Sequence, residues 1–159
     1  MTTAPRASLM SLDEALKTLL AQISPLMGHE SVATLDADGR ILAQDLVSAL
    51  QVPAFDNSSM DGYAVRSADV QEAGVELTVT QRIAAGHFGQ PLLPGQAARI
   101  FTGAPVPPGA DAIVMQEQTE RVSADVPDRV RFLTQAEAGQ WVRRSGEDVR
   151  MGDTVLKRG

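Results

Sequence analysis

The chain has 159 residues, no cysteine, 14 Lys+Arg against 20 Asp+Glu and a formal net charge of −6. Without cysteine there is no disulfide framework, no thiolate zinc site and no thiol nucleophile, and 43% hydrophobic with 21% charged residues describes a globular protein rather than a disordered one. The negative charge argues against a polyanion-binding surface, so no nucleic-acid partner is expected, although a local basic patch remains compatible with it.

Residues 1–10 hold Arg6 but no long apolar core of a signal peptide. No apolar run approaches the roughly 20 residues of a membrane span. A cytoplasmic protein without a membrane partner is the expectation. Ser11 and Glu14 have capping-box spacing, in which each side chain satisfies a free backbone donor at a helix start. Leu12, Leu16, Leu19, Leu20 and Ile23 then form one apolar stripe at helical spacing, and Pro25 is the expected stop. Such a stripe requires a partner surface.

Ser31–Leu35 reads as a short strand, and Gly39–Val47 as a helical turn running into a strand. Beyond Val52, Val75, Leu77 and Val79 alternate with polar residues as in a half-buried strand. Ile100–Phe101, Ala112–Met115 and Val130–Phe132 are further strand candidates, separated by Gly and Pro punctuation. Pro108-Gly109 suits the centre of a type II turn. Short strands at this spacing predict a compact barrel or sandwich rather than a βαβ array.

The chain contains neither G-x-x-x-x-G-K-[ST] nor G-x-G-x-x-G, and His29 and His87 have no zinc-site spacing. Three other segments carry chemistry. Pro53–Val65 sets Asp56 and Asp61 around Asn57, Ser58 and Ser59, followed by Gly62 and Tyr63, the only tyrosine. It reads either as an elaborate surface loop, since Asx and Ser side chains favour turns, or as a loop presenting a carboxylate to a metal or to a phosphate through magnesium. Arg99–Pro107 ends a strand at Thr102-Gly103, where a hydroxyl and a free N–H are available to a ligand; a proline-stiffened turn is the plainer reading. Arg143-Arg144 precede Glu147-Asp148, either as a solvated turn with internal ion pairs or as guanidiniums for an anionic ligand.

Taken in order, Ser11–Leu16, Gly39–Ala43, Asp56–Ala64, Arg99–Pro107, Gln116-Glu117 and Gly146–Asp148 resemble the molybdopterin molybdenumtransferase family, the bacterial MoeA proteins and the E domain of gephyrin. The resemblance runs over essentially the whole chain; Ser59 departs from it, where the family usually has alanine. It implies insertion of molybdate into adenylylated molybdopterin with release of AMP and use of magnesium, within molybdenum cofactor biosynthesis. The pterin dithiolene does the metal chemistry, in keeping with the absence of cysteine. Carried over by motif, Asp61 is the important aspartate, a magnesium or substrate-positioning carboxylate, and Thr102 a hydroxyl contact. Both are expected catalytic residues. Asp148, Arg143 and Ser59 are expected at the substrate or cleft edge.

The implied fold is α+β. Residues 1–27 form an N-terminal helix that packs on a catalytic C-terminal domain missing from this chain. Residues 28–48 and 142–159 form a small discontinuous α/β domain, and 49–141 an inserted β-rich, barrel-like domain. The family further implies a homodimer in which the motif loops face the partner's catalytic domain, and a piece of this extent is expected to be inactive alone. The competing expectations are a non-catalytic dimerisation or scaffold module of gephyrin type, and a small-anion- or metal-binding β domain unrelated to molybdenum.

Overall fold

The computed structural model describes residues 9–24, 28–123 and 128–159. They fall into two units, divided between Ala43 and Gln44. In the first, α1 spans Leu12–Ala21. Its capping box is formed in both directions: Ser11 Oγ accepts from Glu14 N–H at 3.3 Å, and Glu14 Oε2 accepts from Ser11 N–H at 3.0 Å. Glu14 is consequently held below the ordinary carboxylate pKa, first by the Ser11 amide and then by its hydroxyl. The helix ends at Gln22, while the expected stop, Pro25, lies outside the described residues. The apolar stripe is solvent-facing, with Leu16 at 51% and Leu12 at 83% exposure.

Two local expectations are corrected here. Thr34–Asp36 is a single 3-10 turn, not part of a strand. Within Gly39–Val47 there is no helix, and only Leu46–Val47 is extended. Apolar residues in both stretches are too few and too exposed to select a strand or a helix by burial.

The second unit contains all ten strands found among the described residues. They are β1 (Leu46–Val47), β2 (Asn57–Ser58), β3 (Gly62–Val65), β4 (Glu76–Ile83), β5 (Gln96–Ile100), β6 (Ala112–Met115), β7 (Thr119–Ser123), β8 (Arg129–Phe132), β9 (Val142–Arg143) and β10 (Thr154–Leu156). Six make one sheet in the order β6-β3-β5-β4-β8-β7; β1 pairs with β10, and β2 with β9. Among the described strands only β4 and β5 run parallel, which requires the long crossover through residues 84–95.

The sheet is strongly curled, as its connectivity demands. Its two edge strands, β6 and β7, are joined by Gln116–Gln118 alone. In a flat sheet of this width the edges would stand roughly 24 Å apart, whereas a connection of three residues reaches at most about 14 Å. Alternating side chains fill both faces. Val65, Leu77, Ala97, Val114, Val130 and Phe132 form one apolar cluster. Ala64, Ile83, Ala98, Ile100 and Ile113 form the other. Burial on both faces explains why β3 reads poorly as an alternating strand.

The strand expected at Ala112–Met115 has those bounds, the one at 75–79 begins one residue later and runs on to Ile83, the one at 130–132 adds Arg129, and the one at 100–101 ends at Ile100 and leaves Phe101 outside. Pro108-Gly109 is a type II turn, with Gly109 at φ +90° and Ala110 N–H donating to Pro107 O at 3.1 Å. The molecule is thus mixed α and β, with one helix among the described residues and a curled sheet. None of the described helices is long and apolar enough to cross a membrane.

Candidate functional site

Three segments distant in sequence meet along the backbone of residues 56–59. On one side, Ser58 N–H donates to Ala104 O at 2.9 Å, Gly103 N–H to Ser58 O at 2.8 Å, and Val106 N–H to Asp56 O at 3.0 Å. On the other side β2 pairs with β9, placing Asn57 opposite Arg143 and Ser58 opposite Val142. Ser59 N–H continues this side by donating to Trp141 O at 2.9 Å. Trp141 is the single non-glycine described with positive φ, at 53°, a conformation kept only where surrounding bonds hold it. Part of the segment read as an elaborate surface loop lies inside the fold. Ser58 is 1% exposed and Asn57 8%, and Gly62–Val65 is a central strand.

The chain then turns on Ser58, whose Oγ accepts from Met60 N–H at 3.3 Å and donates to Met60 O at 2.5 Å. This delivers Asp61 to the start of β3. Opposite it, Phe101–Ala104 forms a tight turn with Gly103 at φ +79°, closed by Ala104 N–H on Phe101 O at 2.9 Å. The turn leaves the Thr102 amide free of backbone partners, and it donates to Asp61 Oδ1 at 2.8 Å. The Thr102 hydroxyl donates to the same oxygen at 2.7 Å. Asp61 and Thr102 are therefore one unit, and Asp61 Oδ2 is left without a hydrogen-bond partner among the described residues.

The Thr102 amide, then its hydroxyl, then the positive field of Arg99 hold Asp61 below the ordinary carboxylate pKa, so it is an anion at neutral pH. Arg99 is itself fixed. It donates from Nη1 to Gly62 O at 2.8 Å and Ile100 O at 3.1 Å, and from Nη2 to Gln116 Oε1 at 2.6 Å. Gln116 N–H in turn donates to Asp61 O at 3.1 Å. Gly62 permits this close fit: a Cβ there would stand 2.0 Å from Val114 O of β6.

The third segment is bolted to the same strand by a different aspartate. Asp56 accepts from Ser145 N–H at 2.8 Å and from Arg144 Nη1 at 2.6 Å. The Ser145 amide is the main cause of its lowered pKa, ahead of Arg144 and against the penalty of partial burial. Arg143 and Asp148 form an ion pair with each other, and Asp148 N–H donates to Val52 O at 2.9 Å. The Ser59 hydroxyl makes no hydrogen bond among the described residues. So the structure joins Asp61 to Thr102 and Arg143 to Asp148, and no side-chain hydrogen bond links one pair to the other.

Arg99 and Gln116, which lock the Asp61 backbone, were given no role by the sequence. Their signal was their place in the motif segments Arg99–Pro107 and Gln116-Glu117; in the structure Tyr63 lies directly across from Arg99 in the β3–β5 register, with the guanidinium 5.4 Å from its ring centre. Among the described residues no three His, Cys, Asp or Glu side chains cluster as a metal cage. One unshared carboxylate oxygen fits magnesium only where water and a ligand's own phosphates complete the coordination.

Comparison with known proteins identifies the family. Residues 10–159 match the family model of the MoeA N-terminal region, domains I and II. The chain is 40% identical over 152 residues to the molybdopterin molybdenumtransferase of Haemophilus influenzae, covering 95% of this chain and 37% of that protein. It is 46% identical over 134 residues to molybdopterin molybdenumtransferase 2 of Mycobacterium tuberculosis, covering 81% of this chain and 32% of that one. The crystal structure of the molybdopterin biosynthesis moeA protein from Pyrococcus horikoshii superposes with a TM-score of 0.85 at 36% identity, over 96% of this chain and 40% of that one. This chain thus spans two-fifths or less of the length of these relatives, and it belongs to the MoeA family, whose N-terminal region it comprises.

Proposed function

We propose that this chain is the N-terminal part of a molybdopterin molybdenumtransferase, which inserts molybdate into adenylylated molybdopterin and releases AMP in the cytoplasm. The observation that carries the reading is the Asp61–Thr102 unit. One carboxylate oxygen is saturated by two donors from one residue, and the other is left to face a ligand. A carboxylate fixed in this way positions a ligand through a bridging cation without moving, the preorganisation that transfer chemistry uses. Asp61 is the ligand-facing group; were magnesium bound with the substrate, this carboxylate would be the residue to hold it, and the ion would supply charge neutralisation for the phosphates. Thr102 holds it and offers its hydroxyl oxygen as an acceptor. Asp148, Arg143 and Ser59 edge the same surface.

The remaining organisation follows from the same reading. Residues 1–27 cover a C-terminal catalytic domain, and 49–141 form an insert in a discontinuous domain of 28–48 and 142–159. Its support is the β1–β10 pairing together with Ser48 N–H on Asp153 O at 2.8 Å and Lys157 on Asp45 at 2.8 Å, which tie 45–48 to 153–157. Two copies form a homodimer in which this site completes the partner's pocket, and the piece alone is inactive. A scaffold module is the second reading, favoured by the solvent-facing stripe of α1. Asp61→Ala and Thr102→Ala, made in a full-length protein carrying this region, separate the two. Loss of molybdate insertion with the dimer intact by sedimentation is the expected result. Unchanged insertion would overturn the site, and a role in assembly alone would then lead.

A further inference from the structure

We propose that the cleft lined by residues of β3, β4, β5 and β7 binds a phosphate group, with Arg82 as its principal donor. The cleft has a volume of about 480 Å3, and Tyr63, Arg82, Arg99, Phe101, Arg121 and one carboxylate, Asp128, line it. That volume suits a small ligand, and three guanidiniums converge there although the chain as a whole carries a charge of −6.

Their partners differ. Arg121 is spent on a two-pronged pair with Asp128, at 3.0 and 2.9 Å. Arg99 is committed to two backbone carbonyls and Gln116. Arg82 has no hydrogen bond and no ion pair among the described residues. It stands directly opposite Arg99 in the β4–β5 register, and like charges in that relation repel.

Phe101 holds the two cations there. The Arg82 guanidinium carbon lies 4.6 Å from its ring centre and that of Arg99 lies 4.5 Å away. A guanidinium lying over a ring in this way still presents its planar fork of donors, which takes a phosphate by two parallel hydrogen bonds. The adjoining pocket adds His87 beside Arg82 and Phe101. The Asp61 carboxylate acts on Arg99 from the neighbouring turn, so Arg82 is the uncompensated cation.

This inference does not rest on the transferase reading, because binding of a phosphate group is a property this chain shows or lacks by itself. The test follows the arginine Nε–H resonances of the chain at low ionic strength during titration with inorganic phosphate and, separately, with AMP. A saturable shift at Arg82 is expected, with affinity about tenfold weaker in Arg82→Gln and intermediate in Arg82→Lys. Backbone spectra of both variants should match the parent, since Arg82 is exposed. Tighter binding of AMP assigns the site to a nucleotide's phosphate, and equal binding assigns it to the phosphate group alone. Unchanged affinity in Arg82→Gln, or shifts confined to Arg143 and Arg144, would overturn the proposal and leave the Asp61 reading untouched.

Discussion

The helix of the first unit and the sheet of the second are built by opposite means. Helix α1 is specified locally: a two-way cap at Ser11–Glu14 and a run of good helix formers set it, yet none of its residues is buried. The sheet has few local signals, but its register places two apolar clusters back to back and buries both. Local satisfaction of donors defines an element; burial across distant segments makes it stable.

The largest test of that contrast is in the core. Phe132→Ala removes a side chain buried in β8 and edge-on to Tyr63 at 6.2 Å. It should cost about 3–5 kcal/mol in denaturant unfolding of the second unit. Gly62→Ala attacks the β3–β6 contact through backbone that cannot give way, and should cost about 3 kcal/mol while loosening Asp61.

Asp56→Asn should cost about 1 kcal/mol at neutral pH, the pair with Arg144 being largely exposed. Its pH dependence carries a sign. The folded pKa of Asp56 is lowered, so its contribution is complete above the ordinary carboxylate range and is lost as pH falls through the folded value. The gap between parent and variant should therefore close on acidification, as read by thermal melts from neutral to low pH.

In the first unit Ser11→Ala should weaken α1 by about 1 kcal/mol, visible in helical circular dichroism, with no change in the melting of the sheet. Smallest of all, Leu16→Ala should alter global stability by less than about 0.5 kcal/mol, because its side chain is half exposed. A large loss there would show that α1 belongs to the core after all.

What the sequence made legible follows the same division. The Ser11–Glu14 cap, the Pro108-Gly109 turn and the strand at Ala112–Met115 depend on nearby residues and read correctly. β3 did not. Its sequence Gly-Tyr-Ala-Val is buried on both faces of the sheet, so no polar alternation marks it. β2 and β9 exist only because distant backbones meet, a relation no local pattern carries. At the site, Asp61 and Thr102 were legible as motif residues. The sharing of one carboxylate oxygen between two Thr102 donors came only from the turn at Gly103. Asp56 was legible as a candidate carboxylate but not as the anchor of Ser145 and Arg144, because that bond spans most of the chain.

The most direct test of the account is a double-mutant cycle of Asp61→Asn and Thr102→Val, measured as molybdate insertion in a full-length protein carrying this region. If Thr102 acts by holding Asp61, each single variant loses activity and the double variant loses no more than the worse of the two. Losses that add, or an Asp61→Asn protein that inserts molybdate at the parent rate, would contradict the claim that these two residues are one ligand-facing unit.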